Sequence, residues 1–579
     1  MVGGGTAGNA LAARLSQYLP DSSVLVIEAG PFAPYENRIN VQGMKGSTLG
    51  TVYDWNFTSI PQAALNNRTI TQSRGKVLGG SSALNLLIWD RGSTPEYDEW
   101  EQVGNPGWNW QSMIKAMNKA ENFSNPGPPV YTAHTGYGVA GPIHAVVNKY
   151  IPAQQDPWVP TFESLGVPHN TYWLGGENVG VAYHSSAIDP AHYNRSYSAV
   201  EYLPRAGHNL RVATNSQVAK VNLGKRRAKY VATGVTLLNG TTIDARKEVI
   251  LSAGSIQSPQ VLELSGIGSK AVLEAAGIQQ KIELPGVGEN LQDHPRIQAS
   301  YQLKDNYTSF DRLKVDREYA AQQLALWSAG KLSAYDYCAS AYSYQGWPSI
   351  VGNASEQLIA TAETVVGAMP NVVDEAKLKL LTNATYRSTV AQVEMVLSDG
   401  YTGNKGYPKN TSDLYGKGFS TIIAGLMHPL ARGSVHINSS DPAAHPVYDP
   451  KFASNDYDLQ GLVTMLKYIR KIFNTAPFSD VYVSEYDPGY DVVPANASNT
   501  VWEEFVRNNV NTFYHPVGTC AMLPRKDGGV VDPELKVYGT QNLRVVDASI
   551  IPILVSAHPQ TGIYGIAERA AEIIASSWT

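Results

Sequence analysis

The sequence predicts an α/β fold, with a parallel-sheet domain assembled from both chain ends and a second part inserted between them. Three observations predict it. Gly3-Gly4-Gly5-Thr6-Ala7-Gly8 reads G-x-G-x-x-G and is answered by Glu28, 20 positions after the last glycine. Between the two, Leu11, Leu15 and Leu19 fall at helical spacing, and Val24-Leu25-Val26-Ile27 reads as a short buried strand. Near the other end, Leu543-Arg544-Val545-Val546-Asp547 reads as a strand leading to a closing helix from about Thr561 to Ser576.

The first pattern is the helix and second strand of a dinucleotide-binding unit. Its glycines let the backbone approach a pyrophosphate at the helix N-terminus, and its acid accepts hydrogen bonds from a ribose diol. Only Met1 and Val2 precede Gly3, so the central strand that should come before the fingerprint is expected to be truncated.

The inserted region is read more coarsely. From Leu210 to Leu251 apolar and polar residues alternate, and Asn239-Gly240 between two such runs is a hairpin signal, so a small antiparallel excursion is expected. Helix-like runs cover Tyr319 to Leu326 and Asp374 to Leu381. Tyr335, Tyr337, Tyr342, Tyr344 and Trp347 form an aromatic cluster, readable as a sheet face or as the wall of a substrate funnel.

Bulk properties narrow the function. The net charge is −5, 16% of residues are charged, and no Lys/Arg-rich run marks a nucleic-acid surface. No apolar stretch approaches the ~18 residues that span a bilayer. Two cysteines, Cys338 and Cys520, exclude a disulfide scaffold and are read as buried thiols. Eleven N-x-S/T sequons, at Asn56, Asn67, Asn122, Asn194, Asn239, Asn306, Asn353, Asn383, Asn410, Asn438 and Asn496, favour the secretory pathway, although no signal peptide is visible.

Two further glycine-rich segments carry a resemblance. Gly75-Lys76-Val77-Leu78-Gly79-Gly80-Ser81-Ser82-Ala83-Leu84-Asn85 and the stretch from Gly254 through Ser258-Pro259-Gln260 to Gly268 resemble both signature patterns of the glucose–methanol–choline (GMC) family of FAD-dependent oxidoreductases. The resemblance continues through Gly286-Val287-Gly288-Glu289-Asn290-Leu291-Gln292-Asp293-His294, His428 to Val435, His515 to Met522 and Arg544 to Ser549. Trp89-Asp90-Arg91-Gly92 and Gly107-Trp108-Asn109-Trp110 are most similar to fungal aryl-alcohol-oxidase-like members, including those of secondary-metabolite pathways.

The resemblance implies a Rossmann-like FAD-binding domain and an inserted substrate-binding part with an antiparallel sheet. It divides the chain into an N-terminal region (1–300), a substrate segment (301–426) and a C-terminal region (427–571). It implies that Gly3, Gly5 and Gly8 hold the FAD pyrophosphate and Glu28 the adenosine ribose. Val218 would touch the adenine, and Asp547 and Ala548 the ribityl-diphosphate region. Gly79, Gly80, Asn85 and Leu86 would line the isoalloxazine, with Gln560 close by. Leu84 and Asn85 stand where some relatives carry a flavin-tethering histidine, so a non-covalent flavin is expected.

The same resemblance makes His515 the base that takes a hydroxyl proton and His558 the partner that orients the substrate oxygen. Histidine suits the task because its ordinary pKa of ~6.5 lies near working pH. The expected activity is oxidation of a primary or secondary alcohol, aromatic or of secondary metabolism, with O2 or another electron acceptor as second substrate and no metal. Two other readings fit the same fold: a non-redox cyclase or dehydratase, and a flavin-free remnant without catalysis. His515 is expected to end a helix-like run that starts at Trp502.

Overall fold

The computed structural model describes residues 1–125, 135–226 and 229–578. Its parallel sheet is built from distant parts of the chain. Val24–Ile27 pairs with Leu210–Ala213 on one side, and Val249–Leu251 pairs with Leu543–Val545 on the other. Met1 and Val2 occupy the line between the two pairs, with Val2 bridging both Ile27 and Leu251 in parallel. Val2 N–H donates to Ile250 at 2.9 Å, and Gly3 N–H donates to Ile27 at 2.9 Å. Met1 and Val2 thus join the pairs into one sheet.

The helix Thr6–Tyr18 turns its Ala10, Leu11, Ala13 and Leu15 side chains into the core, and it packs against the closing helix Gln560–Ser576. The closing helix in turn packs on Trp110–Ala120. Both chain ends therefore build one layer beside the parallel sheet, as the sequence predicts. The antiparallel excursion is also present, as Val218–Arg226, Lys229–Leu237 and Thr242–Asp244. Its second turn is closed by Gly240 at φ +86°, a conformation glycine adopts without steric cost.

The inserted part is a seven-stranded antiparallel sheet. Its main path runs Tyr482–Asp487, Pro295–Leu303, Phe419–Leu426, Val393–Asp399, Ala341–Gln345, Gly180–Tyr183, and the short strand Asn511–Thr512 pairs with the start of Pro295–Leu303. The long helix Asp456–Phe473 covers the sheet beside Pro295–Leu303 and Phe419–Leu426. The strand Val393–Asp399 is buried along almost its whole length although it carries Glu394, Ser398 and Asp399 among its apolar residues, so both of its faces are covered.

Two expectations need correction. The helix before His515 is Asn499–Asn509 and ends well short of it, so His515 follows the strand Asn511–Thr512 instead. The aromatic cluster is not one wall. Tyr342 and Tyr344, two apart on the strand Ala341–Gln345, share a face and both stack with His184, whereas Tyr337 packs on Phe310 and Tyr150, and Trp347 on Tyr457. Cys338 and Cys520 are both free and buried.

Candidate active site

A cleft opens along the C-terminal edge of the parallel sheet, where α/β sheets place their ligands. Gly3, Gly5, Glu28, Gly80, Val218, Asp547 and Ala548 line it, seven of the positions singled out from sequence. Pro516 and Ile563 close its far end, beside His515 and the start of the closing helix. The remaining predicted cofactor residues stand behind or beyond this wall. A Cβ on Gly8 would meet the Gly3 carbonyl oxygen at 2.1 Å, so Gly8 serves the packing of helix on strand. A Cβ on Gly79 would strike the Tyr197 ring at 2.6 Å. Asn85 donates to Gln560 Oε1 at 2.6 Å and accepts from Arg195 at 2.6 Å, which fixes the segment against the closing helix. Leu86 does not line the cleft; its carbonyl accepts from the Cys338 thiol.

The cleft has the chemistry of a dinucleotide site. A Cβ on Gly5 would find only Gly80 Cα within 4 Å, at 3.8 Å, so the space outside Gly5 is open to a ligand. No side chain caps the N-terminus of Thr6–Tyr18 and no acid lies in its first turn, which leaves its amides and positive end for an anion. Ser252 Oγ and Ser255 Oγ are buried on the cleft wall without hydrogen-bond partners among the described residues.

Glu28 accepts from Gly4 N–H and Gly30 N–H, both at 2.8 Å. Burial pushes its carboxyl up to about 7 against the pull of those amides. Asp547 is tied into the opposite wall: it accepts from Gly254 N–H at 2.9 Å and from the Ser258 hydroxyl at 2.6 Å.

The two predicted catalytic histidines meet. The rings of His515 and His558 are 4.8 Å apart and nearly perpendicular, and both are buried. Phe513 stacks on His515 at 5.5 Å, and Phe513 and Tyr342 each stand edge-on to His558 at 6.0 Å. Asp293 secures the His515 loop by accepting its backbone N–H at 2.8 Å and the Thr512 hydroxyl at 2.6 Å. His515 Nδ1 contacts His294 Nδ1 at 2.9 Å.

His558 has a different environment. Asp90 accepts from its backbone N–H and from its Nδ1, both at 3.0 Å, and Glu394 Oε1 lies 3.5 Å from the same Nδ1. His558 Nε2 is buried and has no partner among the described residues.

These surroundings separate the two rings electrostatically. Burial, then the neighbouring His558 and His294, hold His515 well below the ordinary histidine range. Burial alone would also depress His558, but the charges of Glu394 and Asp90 overcome it and lift that ring to about 9. Near neutral pH the site therefore pairs an uncharged imidazole with an imidazolium, the arrangement by which environment divides acid from base.

Sequence reasoning missed Asp90, Glu394, His294 and Asp293 as members of the site. Asp90, Asp293 and His294 lie inside the motifs that carry the family resemblance, whereas Glu394 sits in an apolar strand where nothing marks it except its charge.

The family model described as GMC oxidoreductase matches residues 1–296 in its N-terminal part and 429–567 in its C-terminal part. The chain belongs to the GMC oxidoreductase family. Among curated relatives it is 37% identical to the GMC oxidoreductase family protein Mala s 12 of Malassezia sympodialis, over 99% of this chain and 91% of that protein. Among solved structures it is similar to an FAD-dependent oxidoreductase from Chaetomium thermophilum, with a TM-score of 0.88 and 30% identity over 100% of this chain and 99% of the other. It is also similar to a fungal aryl-alcohol oxidase, with a TM-score of 0.85 and 28% identity over 100% of this chain and 98% of that one. As a GMC oxidoreductase the protein is a redox enzyme, and no helix among its described residues is long and apolar enough to cross a membrane.

Proposed function

We propose that this GMC oxidoreductase oxidises a primary or secondary alcohol of apolar, aromatic or secondary-metabolite character to its carbonyl compound. The observation that carries the reading is the contrast between His515 and His558 at 4.8 Å, a neutral ring and a charged one at the end of a dinucleotide cleft.

The cleft would hold FAD without a covalent tether. The open face of Gly5 and the free N-terminus of Thr6–Tyr18 suit the pyrophosphate, Glu28 the ribose, Val218 the adenine, and Asp547 and Ala548 the ribityl-diphosphate. Gly80 and Asn85, at the two ends of the short helix Ser81–Leu84, would line its ring system. When bound, the flavin supplies the hydride acceptor.

The protein's own groups do the rest. His558 Nε2–H donates to the substrate oxygen and orients it. His515 Nε2 takes the hydroxyl proton, provided that its Nδ1 carries hydrogen toward His294. Phe513 and Tyr342 enclose the pair in an apolar, aromatic wall that excludes water and favours a flat or greasy alcohol. The closing helix points its uncapped N-terminus, where Thr561 Oγ1 is buried and unpartnered, toward negative charge that develops on a bound ligand.

Nine of the eleven sequon asparagines are exposed, only Asn122 and Asn194 being half-buried, which supports passage through the secretory pathway. The central test is anaerobic mixing of the purified holoprotein with an alcohol panel while flavin absorbance is followed, and then admission of oxygen. Bleaching by an aromatic or other apolar alcohol is the expected result. Turnover of a substrate with both histidines required and no bleaching would establish the non-redox reading instead.

A further inference from the structure

The two histidines of the site are not equivalent in what touches them. The described contacts of the His515 ring are all with rings: His294 at Nδ1, Phe513 stacked on its face, and His558. Asp293, the carboxylate hydrogen-bonded to this residue, accepts its backbone N–H and not a ring N–H. The His558 ring has two carboxylates at a single nitrogen, Asp90 Oδ2 at 3.0 Å and Glu394 Oε1 at 3.5 Å from Nδ1.

Tyr344 spans those two acids, with its hydroxyl 2.6 Å from Asp90 Oδ2 and 2.9 Å from Glu394 Oε1, and it has only one hydrogen to give. His184, stacked between Trp173 and Tyr342, places Nδ1 3.7 Å from Asp90 Oδ2. Asp90, Glu394, Tyr344 and His184 are all buried, so water does not screen them. Among the described residues, the titratable groups around His558 are Asp90 after the strand Ile88–Trp89, Glu394, Tyr342, Tyr344, His184, His294 and His515.

One acid on Nδ1 would leave two states open. A neutral His558 with Nδ1–H toward Asp90 would expose a lone pair at Nε2 and compete with His515 as base, as in a Ser-His-Asp triad. A second buried carboxylate beside the same nitrogen favours the charged ring. Burial pushes that acid, Glu394, up to about 7 against the pull of His558, so its hold on the imidazolium strengthens as pH rises through that value, while Asp90 supplies the hold below it. We propose that Asp90 is a positioning residue which, with Glu394, keeps His558 doubly protonated and its Nε2–H aimed at the substrate oxygen, so that the base role falls to His515. Asp90 does this in two ways at once. Its Oδ1 fixes the His558 backbone and its Oδ2 fixes the ring, a two-point hold that sets both charge and direction. The consequence for chemistry rests on the alcohol-oxidation reading: the imidazolium stabilises the alkoxide that His515 creates, and the same charge keeps His515 neutral.

The test is Asp90→Asn, which preserves shape and can still accept the backbone N–H. Selective 15N-histidine labelling of the holoprotein reports the protonation of His558 directly, without any substrate. The wild-type ring is expected to remain protonated through pH 8, and the Asp90→Asn ring to lose its proton at least ten times more readily. Flavin reduction should fall at least tenfold in its limiting rate with a smaller change in apparent KM, and Asp90→Glu should recover part of it. If Asp90→Asn does not accumulate as folded protein, Glu394→Gln should shift His558 in the same direction.

A wild-type His558 that is neutral at pH 7, an unshifted titration in both variants, or a stoichiometric divalent metal held by Asp90, Glu394 and His558 would overturn the proposal. A shifted His558 in a protein that no alcohol reduces would leave Asp90 in this role and remove the alcohol reading.

Discussion

His294 and His515 face each other Nδ1 to Nδ1 at 2.9 Å, so one ring must donate and the other accept. Burial, then the charges of His428 and His558, hold His294 well below the ordinary range, so both rings are uncharged near neutral pH. If His515 donates, its lone pair sits on Nε2, where it can take a proton. If His294 donates, His515 points N–H into the site and is useless as a base. Replacing His294 should therefore slow flavin reduction without emptying the cofactor site. His294→Leu is expected to lose about tenfold to a hundredfold, less than the ~10⁴ seen when a charged orienting group is lost from a triad. His294→Gln retains an acceptor and should lose less. Rapid mixing with substrate, alongside flavin content, checks both.

His515→Ala should abolish reduction by alcohol while cofactor stays bound, a loss of roughly 10²–10⁴ in rate for a positioned base. The pH dependence follows from the two rings. His515 must be neutral, and its pKa is depressed, so the rate falls only as pH drops through that low value. His558 must be protonated, so the rate falls as pH rises through about 9. A plateau across the neutral range with an alkaline decline is expected for the reductive half-reaction. Dependence on an acidic group near 9 should vanish in His558→Ala, which should also be severely slowed.

How legible this was in the sequence differs between fold and site. The dinucleotide unit was readable because Gly3, Gly5, Gly8 and Glu28 obey a local spacing that backbone geometry imposes. The closing strand and helix were readable from apolar pattern alone. His515 and His558 emerged only through the resemblance, since a lone histidine has no local signature. Glu394 was illegible for a stronger reason: it belongs to a strand 164 residues before His558, and only the tertiary packing of that strand against the loop before the closing helix brings the two together. The motif assigns Gly79 and Leu86 to the ring system; in the structure Gly79 packs against the Tyr197 ring and the Leu86 carbonyl accepts from the Cys338 thiol.

If the chain passes through a secretory pathway, exposure should decide which sequons are used. Asn239 stands on an exposed turn and Asn353 in an exposed short 3-10 helix, while Asn122 lies in a strand paired on both sides and Asn194 pairs with Asp189. Peptide mapping after expression in a secreting fungal host should find glycan at the nine exposed positions and none at Asn122 or Asn194. Unmodified protein from such a host would argue against the localisation.

Glu28→Ala should weaken cofactor retention while leaving the pH profile of the remaining activity unchanged. Its two oxygens engage Gly4 and Gly30 and line the cleft, but the acid touches neither histidine. Flavin dissociation measured by fluorescence should quicken severalfold. The released flavin should be free after acid precipitation, since neither Leu84 nor Asn85 offers a tethering nitrogen. A changed pH profile at full occupancy would place Glu28 in the chemistry.

Gly5 and Gly8 belong to one fingerprint, yet the structure gives them opposite tasks. Gly5 has φ −86°, which any L-residue adopts, and its Cβ direction opens into the cleft with nothing nearer than 3.8 Å. Gly5→Ala should therefore fold with near-normal stability and lose cofactor, because the added methyl occupies the space outside the helix N-terminus. A Cβ on Gly8 would lie 2.1 Å from the Gly3 carbonyl oxygen and 3.3 Å from Ser252 Cβ, inside the backbone of the sheet. Relieving that overlap means moving Thr6–Tyr18 away from the strands it covers, so Gly8→Ala should be destabilised by about 1–3 kcal/mol, as overpacking usually costs. Thermal unfolding of both apo variants, beside flavin content of both holo preparations, separates the two tasks. Equal loss of stability in Gly5→Ala would show that its outer face is packed rather than open.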